Sequence, residues 1–265
     1  MRLDTSDTER GSDMVDVRDA AKALAGAGRV VVFTGAGMSA ESGVPTFRDA
    51  LTGLWERFDA QALATPQAFE DDPDLVWGWY EWRRSLALRV APNPGHEAVA
   101  AIEAHAPHTV VITQNVDDLH EQAGSTAPIH LHGSLFTPRC ATCSRPAEPS
   151  REAAPEEGRR LAPPRCEHCG GPIRPGVVWF GEALPAEPLE AAVQAATECD
   201  VLLTIGTSGL VYPAADIPVV AAKFGATVIQ VNPQPTPLDA VAAFNLTGTA
   251  ATVLPALVSA AWPLS

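Results

Sequence analysis

Four short apolar runs, Val30–Thr34, Thr109–Thr113, Val201–Gly206 and Thr227–Val231, constrain this chain more than any other feature. Each has the make-up of a buried strand and lies next to an Ala-rich segment with helical character. The first is the plainest: amphipathic spacing from Asp13 to Ala27 ends at Gly28, just before the strand. Strands that alternate with helices join in parallel and are covered on both faces. The expected fold is therefore α/β, a Rossmann-like parallel sheet with ligands bound at the carboxyl ends of its strands.

Two stretches break that rhythm: an aromatic-rich helical one from about Leu51 to Val90 and a Pro-, Cys- and Arg-rich one from about Pro138 to Pro175. They are expected to form a second, smaller lobe, a helical insertion over 51–90 and a metal-binding module over 138–175. The sheet domain then takes 13–50, 91–137 and 176–265, and 1–12 reads as a disordered polar tail. From Ser144 to Arg165 the sequence has no periodicity and is expected to be a mobile loop. With 265 residues and 46% hydrophobic content, the chain can bury a sizeable core. Its formal charge of -14 repels phosphate backbones and acidic membrane surfaces, so no nucleic acid and no membrane is expected as a partner, whereas a basic peptide is attracted. The N-terminus has no apolar signal core and no apolar run approaches the length of a membrane span, which points to a soluble, cytoplasmic protein.

Four of the five cysteines form two Cys-x-x-Cys pairs, Cys140/Cys143 and Cys166/Cys169. In a reducing compartment such pairs more often hold metal than form disulfides. Four thiolates complete a tetrahedral Zn2+ site with no open position for a reactive water, so this zinc is expected to be structural. Two redox pairs or a disulfide framework are the alternatives. His168 lies inside one pair and could compete as a ligand, while Cys199, alone before an apolar strand, reads as a small buried hydrophobe.

The first strand runs into Gly35-Ala36-Gly37-Met38-Ser39-Ala40-Glu41-Ser42-Gly43. Missing side chains there let backbone N–H groups approach a pyrophosphate, although the third glycine of the common dinucleotide fingerprint is absent at its spacing. The longer pattern Gly35-Ala36-Gly37-x-Ser39-x-x-Ser42-Gly43-x-Pro45-x-Phe47-Arg48 resembles the NAD-binding signature of the sirtuins. Further sirtuin-like motifs follow in order: Thr113-Gln114-Asn115-Val116-Asp117-x-Leu119-His120, Leu131-His132-Gly133, the two cysteine pairs, Val178-Trp179-Phe180-Gly181-Glu182, Gly206-Thr207-Ser208 and Val231-Asn232-Pro233. The resemblance runs from about Asp13 to Leu257.

That resemblance implies NAD-dependent removal of acyl groups from lysine in protein or peptide substrates, with NAD consumed as co-substrate. The products would be nicotinamide, acyl-ADP-ribose and free lysine. It implies NAD contacts from Gly35, Ala36, Gly37, Ser39, Ala40 and Pro45, with Phe47 and Arg48 over the reacting sugar. Gln114, Asn115, Val116 and Asp117 would meet the nicotinamide ribose and carboxamide, Gly206, Thr207 and Ser208 the phosphates, and Asn232, Pro233, Gln234 and Ala250 the adenosine end. Apart from the motifs, these polar residues at strand ends read equally as turns. His132 is implied as general base, with Asn115 as the other catalytic residue, because an imidazole titrating near neutrality can accept a ribose hydroxyl proton. Chemistry alone does not separate His132 from His130, which would share a strand face with it; the motif does, by placing the base directly before Gly133. His96 and His120 read as structural. Val178, Phe180 and Gly181 resemble the segment that pairs with the backbone of the substrate peptide.

Tyr80 and Arg83 stand three apart in a helical stretch, so they share one face and could grip one carboxylate, to which arginine's planar fork donates two parallel bonds. In the sirtuin branch that removes succinyl, malonyl and related acidic groups, a Tyr-x-x-Arg pair in this place binds the distal carboxylate. Ala60 matches a small residue that widens the same pocket. The competing reading is a solvated helix face, with Glu81 and Arg84 as a surface ion pair. Competing functions are plain lysine deacetylation, ADP-ribosyl transfer to protein, and a non-enzymatic zinc-ribbon interaction protein that senses NAD. The oligomeric state stays open.

Overall fold

The structure, a computed structural model, describes residues 17–45, 60–149 and 159–263. Phe47, Arg48 and the 1–12 tail lie outside the described residues. The strands are β1 (Val30–Thr34), β2 (Thr109–Thr113), β3 (Ile129–His130), β4 (Gly133–Cys140), β5 (Ile173–Val177), β6 (Val201–Ile205), β7 (Thr227–Asn232) and β8 (Phe244–Thr247). A helix α1 is described over 17–25. After it come α2 (Ala60–Leu63), α3 (Pro66–Asp71), α4 (Pro73–Ala87), α5 (Pro94–His105), α6 (Leu119–Gln122), α7 (Ala186–Glu198), α8 (Ile217–Lys223) and α9 (Ala250–Ala261).

Six strands form one parallel sheet in the order β3-β2-β1-β6-β7-β8. Alternate residues of β1 go to opposite faces, as the two-residue period of a strand requires. Val30 and Val32 join α1, α5 and α9 in one core, while Val31 and Phe33 join α7 and α8 in another. The four apolar runs are thus the four central strands of an α/β sheet, and two short edge strands, β3 and β8, extend it. On either side of β1 the chain order runs in opposite directions, and at such a switch point parallel α/β sheets hold ligands in a crevice at the carboxyl edge.

The second lobe has its own core. Ala60, Phe69, Trp77, Trp79 and Tyr80 from the helices pack against Leu135, Ile173, Val177 and Trp179 from the antiparallel β4–β5 pair and the segment after it. Two of its helices, α3 and α4, start where the sequence gives a capping oxygen followed by proline. The Thr65 Oγ1 accepts from the Ala68 N–H (3.1 Å) ahead of Pro66, and Asp72 accepts from the Leu75 N–H (3.1 Å) ahead of Pro73. Part of the stretch expected to be a mobile loop is docked instead: the Leu161 N–H donates to the Asp74 carbonyl (3.0 Å), and Arg160 pairs with Asp72. No helix among the described residues is long and apolar enough to cross a membrane.

Candidate active site

The loops after β1, β2, β6 and β7 meet at the carboxyl edge, and backbone contact decides their glycines. Gly206 has φ 59, and a Cβ there would lie 2.5 Å from the Gly37 carbonyl carbon and the Met38 nitrogen. Only glycine allows both the left-handed conformation and that approach. The Gly35 N–H donates to the Ile205 carbonyl (2.9 Å) and the Gly37 N–H to the Gly206 carbonyl (2.8 Å). Those two donors, which the sequence suggested for a pyrophosphate, therefore join the two loops to each other. Gln114 donates to the Thr207 hydroxyl (3.0 Å), and Asn232 to the Thr207 carbonyl (3.3 Å), so Thr207 gathers residues from three loops. Ala40, Pro45, Pro233 and Gln234 are exposed around this edge, Ser208 is half-buried, and Ala250 is buried at the start of α9 against Gly95.

Below the crevice lies a buried polar chain. Asn93 caps α5 ahead of Pro94, and its own N–H donates to His96 Nδ1 (3.3 Å). That fixes the tautomer: Nε2 carries the proton and faces the Ser39 hydroxyl at 3.5 Å. Asn115 donates to the same oxygen from 2.9 Å, and the Ser39 hydroxyl in turn bonds the Asp117 carboxylate, whose pKa burial pushes up. His120 Nε2 lies 3.0 Å from the Thr34 hydroxyl, which donates to Thr113, and the Thr113 hydroxyl accepts from the Asn115 N–H (3.0 Å). Desolvation lowers the pKa of His96 to about 4 and of His120 to about 3, so both are neutral. The sequence singled out Asn115, Ser39 and Asp117 but gave no sign that Thr34, Thr113 and the two histidines hold them; capping after Asn93-Pro94 was the one available clue.

His130 and His132 differ in their partners. β3 ends at His130, and the chain turns through Leu131 and His132 into Gly133, whose φ is 73. The two histidines therefore do not share a strand face. A Cβ at Gly133 would fall 2.1 Å from the Gly176 carbonyl, which is why the turn needs glycine. His130 bonds Glu121 (2.8 Å) and the Asn115 carbonyl (3.1 Å); burial works against its charge, but Glu121 holds its pKa above the ordinary value. Among the described residues His132 bonds a carbonyl alone: its Nδ1 donates to Gln114 O from 2.9 Å, leaving the Nε2 lone pair as a base. Desolvation lowers its pKa, with the Gln114 bond opposing.

On the second lobe, Tyr80 is 3% exposed and Arg83 half-buried, so this face of α4 is not solvated. Glu81 and Arg84, expected as a surface pair, are 6% and 7% exposed and joined by bonds of 2.8 to 3.3 Å. The Arg83 guanidinium carbon lies 5.1 Å from the Trp79 ring centroid and 5.8 Å from that of Tyr80. Desolvation pulls its pKa down, while Tyr80 and Asp117 pull it back up. Asp117 thus ties this pocket electrically to the Asn115 loop, and Val116 beside it packs on the second lobe's core with Ala60. Burial raises the Tyr80 pKa to about 12, so its hydroxyl stays protonated. In the expected peptide-pairing segment, the Val178 N–H donates to the His132 carbonyl (2.8 Å) and the Phe180 N–H to the Ala64 carbonyl (2.9 Å). Phe180 itself is 41% exposed, and Gly181 beside it is exposed too.

The family description "Sir2 family" matches residues 35–213, a span that includes the glycine turn, both histidines and the cysteine pairs. The chain belongs to the Sir2 family. "NAD-dependent protein deacylase 1" of Pseudomonas aeruginosa is 59% identical over 250 residues, covering 93% of this chain and 100% of that protein. An "NAD-dependent protein deacylase" of Methylococcus capsulatus is 58% identical over 239 residues, covering 89% and 94%. The solved structure of a Sir2 homologue–NAD complex superposes with a TM-score of 0.84 at 45% identity and covers 91% of each chain.

In this Sir2-family chain the four cysteines of the two pairs come together, with all four sulfurs within 4.8 Å of one another. Cys140 Sγ lies 3.4 Å from Cys169 Sγ, and Cys143 Sγ 3.7 Å from Cys166 Sγ. Tetrahedral zinc with Zn–S of about 2.3 Å sets sulfurs about 3.8 Å apart, so the cluster fits a structural Zn2+. The Thr142 and Cys143 N–H groups each point at Cys140 Sγ from 3.4 Å, stabilising thiolate charge. His168 is not a member of the cluster.

Proposed function

We propose that this Sir2-family chain is an NAD-dependent protein-lysine deacylase that prefers acidic acyl groups, succinyl and malonyl, over acetyl. The deacylase part is supported by relatives of that name at 58% and 59% identity over most of the chain. One observation carries the acidic part: Tyr80 lies in the second lobe's aromatic core with the half-buried Arg83 guanidinium against the Trp79 and Tyr80 rings, where a carboxylate would be bound by charge-assisted hydrogen bonds. A solvated helix face would have offered no such grip.

On this reading NAD supplies the C1′ carbon that the acyl-lysine carbonyl oxygen attacks as nicotinamide leaves. The sheet lobe would hold NAD, with Gly206, Thr207 and Ser208 at the phosphates and Asn232 at the adenosine ribose. Asn115, fixed by Ser39 and Thr113, orients the nicotinamide ribose together with Gln114 and Asp117. His132, protonated on Nδ1, receives a ribose hydroxyl proton on Nε2. The smaller lobe, 51–90 with 138–175, holds the acyl chain, and Val178 to Gly181 meets the peptide. A four-thiolate zinc site suits a reducing compartment, and we place the enzyme in the cytoplasm.

A panel of acyl-lysine peptides incubated with NAD and read by mass spectrometry tests this. Succinyl- and malonyl-lysine should be cleared fastest, each with one nicotinamide and one acyl-ADP-ribose per lysine freed. Acetyl-lysine as much the best substrate would reject the acidic preference. Label from NAD retained on protein would replace deacylation with ADP-ribosyl transfer.

A further inference from the structure

Tyr80 and Arg83 explain which groups grip an acyl carboxylate, but not what aims the tyrosine. A phenol oxygen has two lone pairs and one proton, so its role depends on which of them are engaged. The Trp179 indole N–H, a donor only, points at the Tyr80 oxygen from 3.1 Å. The Arg83 guanidinium, whose carbon lies 5.8 Å from the Tyr80 ring centroid, adds positive charge beside the same side chain. The indole occupies one lone pair and cannot itself accept, so the Tyr80 proton is left for a partner that accepts. A carboxylate is such a partner.

Trp179 is itself clamped. It is 3% exposed, with Phe69 near it at 5.3 Å between centroids. The Arg174 guanidinium lies over its ring, 3.5 Å from the centroid. Arg174 donates two bonds to Glu182 (2.6 and 2.8 Å) and one to the Val177 carbonyl (3.1 Å). Glu182 closes the loop by accepting from the Trp179 N–H (2.8 Å). A ring stacked on a forked ion pair and tied by its own backbone has little freedom to turn its N–H elsewhere.

We propose that Trp179, braced by the Arg174–Glu182 pair, is a positioning residue for acyl specificity: its indole N–H fixes the Tyr80 hydroxyl so that the proton is presented to an acidic acyl group. The proposal rests on the acidic-acyl reading above. Trp179→Phe tests it by keeping a ring on Arg174 while deleting the N–H. With succinyl- and acetyl-lysine peptides at saturating NAD, the ratio of their kcat/KM values should fall about fivefold, the weight of one neutral hydrogen bond, mainly through a raised KM for the succinyl peptide. Glu182→Gln, which loosens the clamp from a distance, should shift the ratio the same way by a smaller factor and stands in if Trp179→Phe does not fold. Arg83→Met measured beside them separates the two ideas. If Arg83→Met removes the succinyl preference while Trp179→Phe and Glu182→Gln lower both activities equally, the brace is merely structural and the proposal is overturned alone. If the unmodified enzyme already favours acetyl, the acidic-acyl reading falls and the proposal with it.

Discussion

β1 and β6 are buried at every one of their residues, whereas β4 is buried only at Leu135, Pro138 and Cys140, and β5 carries Arg174 into its core. The sheet lobe is ordered by continuous apolar burial on two faces, a force that needs no particular partner. The smaller lobe is ordered by specific pairings: four sulfurs, a buried Glu81–Arg84 pair, and an arginine stacked on tryptophan. The first kind of lobe makes a durable platform. The second makes a pocket whose shape depends on a few groups, and it is the lobe proposed to choose the acyl chain.

The largest expected effect breaks the comparison at its metal. A structural four-thiolate zinc contributes about 10–16 kcal/mol of apparent folding free energy in small modules. Cys166→Ser or strong chelation should therefore raise hydrogen exchange over β4, β5 and α4 by orders of magnitude while β1 and β6 keep their protection. An equal rise in both lobes would mean that they unfold as one unit. Next in size is His132, at the seam where its carbonyl takes the Val178 N–H and its Nδ1 bonds the Gln114 carbonyl. His132→Ala should lower steady-state release of free lysine about a hundred- to ten-thousand-fold with every acyl peptide alike. A loss confined to one acyl group would move His132 out of the shared chemistry.

The sheet lobe has its own weak point where two loops touch. At Gly206 a new Cβ would meet backbone at 2.5 Å, so Gly206→Ala should cost about 1–3 kcal/mol by urea denaturation and raise the KM for NAD. Phe224→Ala, at a side chain 67% exposed, should move the midpoint by less than about 0.5 kcal/mol. An acid effect from His96 and His120 accumulates with pH instead of acting at one site. Their folded pKa values, about 4 and about 3, lie below the ordinary 6.5, so the unfolded chain takes up protons that the folded chain refuses. Stability should be full above pH 6.5 and fall as pH drops below it, by about 1.4 kcal/mol per unit for each histidine until its folded pKa is reached. Urea midpoints at pH 7 and pH 5 measure this, and His96→Gln should flatten the slope.

The same contrast governs how much the sequence revealed. The runs at Val30, Thr109, Val201 and Thr227 read directly as strands because burial on both faces leaves a continuous apolar signature. Phe244–Thr247 did not, since a short edge strand borrows its order from its neighbour, and the strand read through His130 to His132 stops at His130. Gly133–Cys140 and Ile173–Val177 were unreadable as strands: Pro138, Pro175 and Arg174 argue against a sheet unless the pair is closed by metal at one end. Asn115, His132 and the cysteines stood out through motifs. Trp179 sat inside one of those motifs without a role, because the partner that defines it, Tyr80, is 99 residues away. Glu81 and Arg84 looked like a surface pair because helical spacing says which residues meet, not which side faces water.

The proposed acidic-acyl preference places selection on the smaller lobe's Tyr80–Arg83 face and the chemistry at the seam. Its most direct test is kcat/KM for succinyl- and acetyl-lysine peptides with the unmodified enzyme and with Arg83→Met. The account predicts a succinyl preference that the substitution reduces about ten- to a hundredfold, the weight of a charge-assisted hydrogen bond, while measurable deacetylation persists. An equal loss of both activities would contradict it.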